Sequence, residues 1–230
     1  ADRASAVLTF WFTIVQNVAT LGLAGLLAFA TDQVIRGRFV YKSVILLPYA
    51  IAPVISGVLW AFLFNPAVGP MAQFLHSLGI PWDPNRRPFD AQVLITVAAV
   101  WKHVCYDYIF LVAALLAVPQ SLIEAAALDG AGPVRRFFTV SLPIIMPTVF
   151  YLVVMNFTYG LFDTFGIIDA VTAGGPGGAT NTLVYKVYQD GFILLDLGSS
   201  AAQSVILMAI AIVFTILQFR AVERNVNYQV

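Results

Sequence analysis

Long apolar runs alternate along the chain with shorter connections rich in proline, glycine and charge. A helix that crosses a bilayer needs about 20 mostly apolar residues. Five stretches meet that need: 4–31, 43–64, 91–118, 148–168 and 199–219. The pattern predicts an all-α, polytopic helical membrane protein, one transmembrane domain over 1–230 with five membrane helices. The first, second and last runs hold no Asp, Glu, Lys or Arg, whereas the third carries Lys102, His103 and Asp107 and the fourth carries Asp163. Pro48 and Pro53 fall inside the second run. Membrane helices accept proline where neighbours re-satisfy the freed carbonyl, so a kink is expected there and not a break.

Composition agrees with that solvent. The chain of 230 residues is 60% hydrophobic and 10% charged, against about 45–50% and 25% for a soluble domain. Twelve basic and twelve acidic residues cannot cover a soluble surface of this size, and a disordered or nucleic-acid-binding chain is excluded. Net charge is zero, so any electrostatic signal is local. The single cysteine, Cys105, excludes an internal disulfide and reads as a small buried hydrophobe.

Loop charge orients the chain. The connections 32–42 and 119–147 and the C-terminal tail carry Arg36, Arg38, Lys42, Arg135, Arg136, Arg220 and Arg224. Five spans put these three segments on one face, the cytoplasmic one. The loops 65–90 and 169–198 hold only Arg86, Arg87 and Lys186 and are extracytoplasmic. Ala1 is then outside, and a further helix upstream is expected. The outer loops are punctuated by Asn65-Pro66, Asp83-Pro84 and the cluster from Gly174 to Gly178, which are turn formers, with a short interfacial helix over 74–80.

The inner loop carries the sharpest local signal. From Pro119 to Pro133 it reads PQSLIEAAALDGAGP. Ser121 and Glu124 have capping-box spacing. Ala125 to Leu128 are strong helix formers, Gly130 is a natural terminator, and Pro133 can open a second short helix over 134–140 before Pro143 and Pro147 lead back to the membrane. The residues therefore predict two short rigid helices joined by a tight turn, with an alanine surface that a partner can approach closely. An ordinary ordered loop satisfies the same physics.

Polar groups inside the apolar runs are the second signal. Lys102 lies roughly 16 Å into the third run at ~1.5 Å per residue. A charge at the bilayer centre costs about 2.5–3.5 kcal/mol, so it faces a cavity or a partner. His103 and Asp107 share one helix face, and Tyr106 stands one turn from Lys102. The fourth run offers Asn156, Tyr159, Asp163 and Thr164, and Tyr49 sits beside Pro48. Two readings stay open: these groups line a translocation path, or Lys102 or His103 pairs with Asp107 or Asp163 to pin helices together. Neither metal nor hydrolytic chemistry is indicated, since His76 and His103 lie in different segments and no nucleophile-elbow or phosphate-loop pattern occurs.

Glu124-Ala125-Ala126, then Gly130, then Val140 and Leu142-Pro143 match the EAA motif of importer-type ABC transporter permeases, with Val140 in place of the usual isoleucine. The run Asp129 to Pro133 with Phe137-Phe138 resembles the carbohydrate-uptake branch. Leu47-Pro48-Tyr49-Ala50, Phe62 to Pro66, Phe162 to Phe165, Gly174-Gly175-Pro176, Tyr185 to Tyr188 and Ser199 to Val205 extend the likeness, over nearly the whole chain, to permeases of the glycerol-3-phosphate type. The resemblance implies a helix upstream of the first run. It also implies that Glu124, Ala125, Ala126, Asp129 and Gly130 dock in a cytoplasmic ATPase subunit and pass its closure to the membrane helices. Carried over by position, the substrate lining falls at Tyr49, Lys102, His103, Tyr106, Leu161 and Thr164, with Asp163 adjacent. Implied partners are a second homologous permease, two ATPase subunits that hold ATP and Mg, an extracytoplasmic substrate-binding protein and the lipid bilayer. Tyr185, Lys186 and Tyr188 would belong to the binding-protein contact. No cofactor is implied in this chain, and the implied location is the bacterial inner membrane with a cytoplasmic C-terminus. The implied substrate is sn-glycerol-3-phosphate or a glycerophosphodiester. A neutral sugar within the same class, and an ion-coupled carrier using Lys102, Asp107 and Asp163 as a relay, are the alternatives.

Overall fold

The computed structural model describes residues 2–33 and 43–225. Arg36, Arg38 and Lys42, and the side chain of Arg224, lie outside the described residues. Among those described there are only helices and turns. Helix α1 is Asp2–Gln33. Helices α2, Ser43–Ala50, and α3, Pro53–Leu63, meet at 106°. Helix α4 is Pro70–Ser77, α5 Pro88–Leu116, α6 Gln120–Leu128 and α7 Pro133–Asp163. Helix α8 is Phe165–Val171, α9 Leu183–Tyr188 and α10 Leu197–Asn225.

Among the described residues four helices are long and apolar enough to cross a membrane: α1, α5, α7 and α10. The fifth expected span is the bent pair α2 and α3, and here the kink expected from Pro48 and Pro53 is a true break. Pro53 is the first residue of α3, and Ala52 before it is extended, with φ −61° and ψ 144°. A residue preceding proline is pushed out of the helical region by the pyrrolidine ring, and proline fits best at a helix start.

The fourth span differs as well. The expected short helix over 134–140 does not stop; it continues as one helix to Asp163. The turn Phe137–Ser141 widens to i→i+5 bonding, with the Leu142 amide donating to the Phe137 carbonyl. That widening precedes Pro143, whose ring would collide with the carbonyl four residues back in a regular turn. The outer helix expected over 74–80 is present slightly earlier, as Pro70–Ser77.

Helix α5 is the hub. Its buried Val104, Cys105, Tyr108 and Leu111 pack on Ala24 and Ala28 of α1 and on Leu152 of α7. Nearer its start, Ile95, Ala98 and Ala99 meet Phe12, Ile167, Ile168 and Tyr185. The hidden face of α1 is more polar than apolar: Ser5, Thr9, Thr13, Gln16, Asn17, Thr20 and Thr31 are buried, against Phe12, Ala24 and Ala28. Several of these groups tie helices together. Thr31 Oγ1 pairs with Tyr108 Oη at 2.8 Å, Asn17 Nδ2 donates to the Val153 carbonyl at 2.9 Å, and Thr9 Oγ1 accepts from the Leu183 amide at 2.7 Å. Small residues allow the closest crossings. A Cβ on Gly57 would lie 2.8 Å from Ala170 Cβ and 3.2 Å from the Ile167 carbonyl, so α3 and α8 touch at their backbones.

Gly57→Val forces that crossing apart. Overpacking of this kind costs about 1–3 kcal/mol, and the purified protein is expected to melt several degrees below the wild type in a thermal-shift measurement.

Candidate functional site

The break between α2 and α3 opens beside α5. Tyr49 lies in the last turn of α2 and is half exposed, at 53%. Its carbonyl accepts a hydrogen bond from Lys102 Nζ at 2.7 Å. The Lys102 ammonium also stands 5.1 Å from the centroid of the Tyr49 ring, a favourable cation–π distance. Lys102 is 9% exposed. No carboxylate among the described residues lies within ion-pair distance of it. The pairing of Lys102 or His103 with Asp107 or Asp163 is therefore not formed.

From Tyr49 a ladder of rings runs into the protein. Tyr49 stacks on Tyr106, Tyr106 on His103, and His103 on Tyr159 with centroids 3.9 Å apart. A side branch leads from Tyr106 through Phe110 to Tyr151, and the Tyr106 and Tyr151 hydroxyls share a hydrogen bond of 2.9 Å. Behind the ladder Asp107, fully buried, accepts from Asn156 Nδ2 at 2.6 Å. Its other oxygen, Asn156 Oδ1, His103 Nε2 and the Tyr159 hydroxyl are buried without a hydrogen-bond partner. These polar groups at bilayer depth come from only two helices, α5 and α7.

Of the residues expected to line a path, Tyr49, Lys102, His103 and Tyr106 are thus brought together. Leu161 is not with them; it is buried against Phe157, Leu183 and Leu207. Thr164 is also fully buried and returns its hydroxyl to the Gly160 carbonyl at 3.2 Å. Asp163 is exposed at the end of α7. Tyr151 was not among the expected residues, although a tyrosine two turns before Tyr159 in an apolar run marks the same helix face. The polar stripe of α1 has a signal of the same kind, Thr, Gln and Asn recurring on one face of an otherwise apolar run.

The short helix α6 forms a separate exposed feature. Ile123 packs on the main core, while Glu124, Ala125, Asp129 and Gly130 are exposed and Ala126 is partly so. Leu128 projects with 91% exposure. The helix end is a Schellman turn: the Ala131 amide donates to the Ala126 carbonyl and the Gly130 amide to the Ala127 carbonyl, both at 3.0 Å, with Gly130 at φ +81°. The capping box at the other end does not form. Pro119 is the N-cap, and no side chain caps the helix.

On the expected outer side, Tyr185 is 3% exposed and hydrogen-bonds to Asp169, so it belongs to the core and not to a contact surface. Lys186 donates to Asp190 at 2.8 Å and Gln203 does so at 2.6 Å; these bonds hold the Asp190 carboxyl below the usual carboxylate range.

Residues 3–228 match the family of binding-protein-dependent transport system inner membrane components. The chain belongs to that family. It is 53% identical over 224 residues to the sn-glycerol-3-phosphate transport system permease protein UgpA of Rhizobium meliloti, covering 97% of this chain and 76% of that protein. It is 51% identical over 225 residues to the protein of the same description from Yersinia enterocolitica, covering 96% and 76%. Among solved structures, a chain of a bacterial alginate ABC transporter, in complex with its alginate pentasaccharide-bound periplasmic protein, aligns with TM-score 0.86 at 20% identity, covering 96% of this chain and 77% of that one. A chain of the methionine transporter MetNI in an inward-facing conformation aligns with TM-score 0.66 at 18% identity, covering 97% and 95%. At those identities the structures establish the fold. The protein is a multi-pass permease subunit of an ABC importer and not an enzyme, and the ion-coupled carrier reading falls with that membership.

The Asp107–Asn156 pair yields a clean test. Asn156→Leu leaves a buried carboxyl with no donor and is expected to cost more than ~2 kcal/mol, while Asp107→Val with Asn156→Leu, which removes both partners, recovers much of the loss. Melting temperatures of the two variants in one detergent decide it; a double variant no better than Asn156→Leu counts against the pair.

Proposed function

We propose that this permease forms the translocation path for sn-glycerol-3-phosphate, with Tyr49, Lys102, His103 and Tyr106 at its substrate site. The observation that carries the reading is Lys102, an ammonium at bilayer depth that faces no carboxylate, in a chain more than half identical to a permease described for this substrate. A lysine is a point-charge phosphate binder. The tyrosine hydroxyls beside it suit a small polyol, and a glycerophosphodiester presents the same phosphate. A neutral sugar would leave the ammonium without a counter-charge.

The exposed helix α6 acts as the coupling element. Glu124, Ala125, Ala126, Asp129 and Gly130 seat it in a cytoplasmic ATPase subunit. A rigid helix closed by a Schellman turn passes on a rigid-body movement, and its continuation through α7 leads from that contact to Asn156 and Tyr159. Two such ATPase subunits hold ATP and Mg, and this chain needs no cofactor of its own. A second homologous permease and an extracytoplasmic substrate-binding protein complete the assembly. In this orientation 119–147 and the C-terminus are cytoplasmic, and the loops 65–90 and 169–198 are extracytoplasmic. ATP binding closes the inner side and opens the outer side to the loaded binding protein.

Two variants test the reading. Lys102→Gln in the reconstituted importer raises the half-saturating sn-glycerol-3-phosphate concentration for uptake by roughly tenfold or more, the scale of one charge-assisted hydrogen bond; unchanged affinity removes Lys102 as a phosphate ligand. Gly130→Pro cannot adopt φ +81° and loses the amide that closes α6. It is expected to reach the membrane yet lose uptake driven by ATP hydrolysis, and wild-type uptake would refute the coupling role.

A further inference from the structure

The carbonyl that Lys102 holds is one that the helix cannot satisfy by itself. The last turn of α2, Leu47–Ala50, is a 3-10 turn in which the Ile51 amide donates to the Pro48 carbonyl at 3.2 Å, but the Ala52 amide makes no such bond to Tyr49. If the chain continued as an α-helix, the donor to the Tyr49 carbonyl would be the amide of residue 53. Residue 53 is Pro53, which has no N–H. The chain turns away by 106° at that point, and no other amide replaces the missing donor to Tyr49 among the described residues. Lys102 Nζ, from the neighbouring helix, takes its place at 2.7 Å.

The bond is therefore a joint between α5 and the broken end of α2, made by a cation whose other partner is the face of the Tyr49 ring. A carbonyl and a ring face are weaker partners for a buried ammonium than a phosphate is, because neither carries a full negative charge. Tyr49 itself is half exposed, so a ligand can reach the space beside its ring.

We propose that Lys102 is a two-position latch. Without substrate it holds the Tyr49 carbonyl and fixes the end of α2. When a phosphate-bearing substrate enters beside Tyr49, the ammonium turns to the phosphate, the carbonyl is released, and the α2–α3 break is free to change its angle. Substrate recognition and helix movement then share one atom. This inference rests on the reading that the site takes sn-glycerol-3-phosphate, and it deepens that reading: Lys102 is a positioning residue in the empty transporter and a ligand in the loaded one.

The test compares Lys102→Met, which cannot donate to the carbonyl, with Lys102→Gln, whose amide can donate but carries no charge for phosphate. Each is assembled with its partner permease, ATPases and binding protein in proteoliposomes. ATP hydrolysis is measured with the binding protein empty and with it loaded with sn-glycerol-3-phosphate. The Met variant is expected to hydrolyse ATP faster than wild type with the empty binding protein. The increase should be roughly tenfold, the shift in a two-state balance that loss of one charged hydrogen bond produces. The Gln variant, whose amide can still donate to the Tyr49 carbonyl, is expected to show a smaller rise in the unstimulated rate than the Met variant and to lose the stimulation by substrate. If both variants keep the low rate and only lose uptake affinity, Lys102 is a plain ligand: the latch is overturned and the phosphate reading stands. Wild-type affinity and stimulation in both variants overturn the two together. Should the Met variant not assemble, the Gln variant decides alone, since retained stimulation by substrate refutes the latch.

Discussion

Inside a bilayer no water repairs an unpaired carbonyl or ammonium, so every polar group at that depth depends on what the protein itself places beside it. The second span shows how far that constraint reaches. Pro53 ends α2 by removing a donor, the chain breaks, and the orphaned Tyr49 carbonyl is met by Lys102 from α5. The bend of the second span, the Lys102–Tyr49 bond and the start of the ring ladder thus fall at one place. The same rule governs α1, where buried Thr9, Asn17 and Thr31 each give or receive a bond that joins this helix to another. These are neutral groups, so they bind helices together without the desolvation cost of buried ion pairs.

Much of the architecture was legible because length and hydropathy are properties of each segment alone. Four spans follow from them directly, and Gly130 and Pro133 mark their helix ends by chemistry local to those residues. The errors arose where a neighbour decides. Whether Pro53 kinks or breaks its helix depends on whether another helix can serve the freed carbonyl at the bent angle. Likewise Pro143 looked like an interruption, but a widened turn just before it absorbs the ring and α7 continues. Ser121 and Glu124 had the spacing of a capping box, yet the helix starts two residues earlier, after Pro119, which puts the serine inside the first turn and out of cap position.

The candidate site was legible as a list and not as an arrangement. Tyr49, Lys102, His103 and Tyr106 meet because residues on α5 share a face and the broken span lies against it. Leu161 and Thr164 follow Tyr159 closely in sequence, but α7 widens again over Tyr159–Asp163, and that widened turn puts both side chains among buried neighbours away from the ladder. The motif on α6 was plain from spacing, since all its elements lie within 20 residues. What spacing could not show is that Ile123 anchors the helix to the core while Leu128 projects outward.

The arrangement also bears on how firmly α5 is held to its neighbours. Fully satisfied buried ion pairs would lock α5 to α7, because breaking one leaves two uncompensated charges. Here the charges are kept apart: Lys102 faces α2 and Asp107 faces Asn156, on different sides of one helix. Each is held by a neutral partner, and Asp107 keeps one oxygen unbonded. Between the two lie the stacked rings from Tyr49 to Tyr159, and stacking has no single required donor. Helices joined this way can shift against one another, which a network of matched ion pairs would resist.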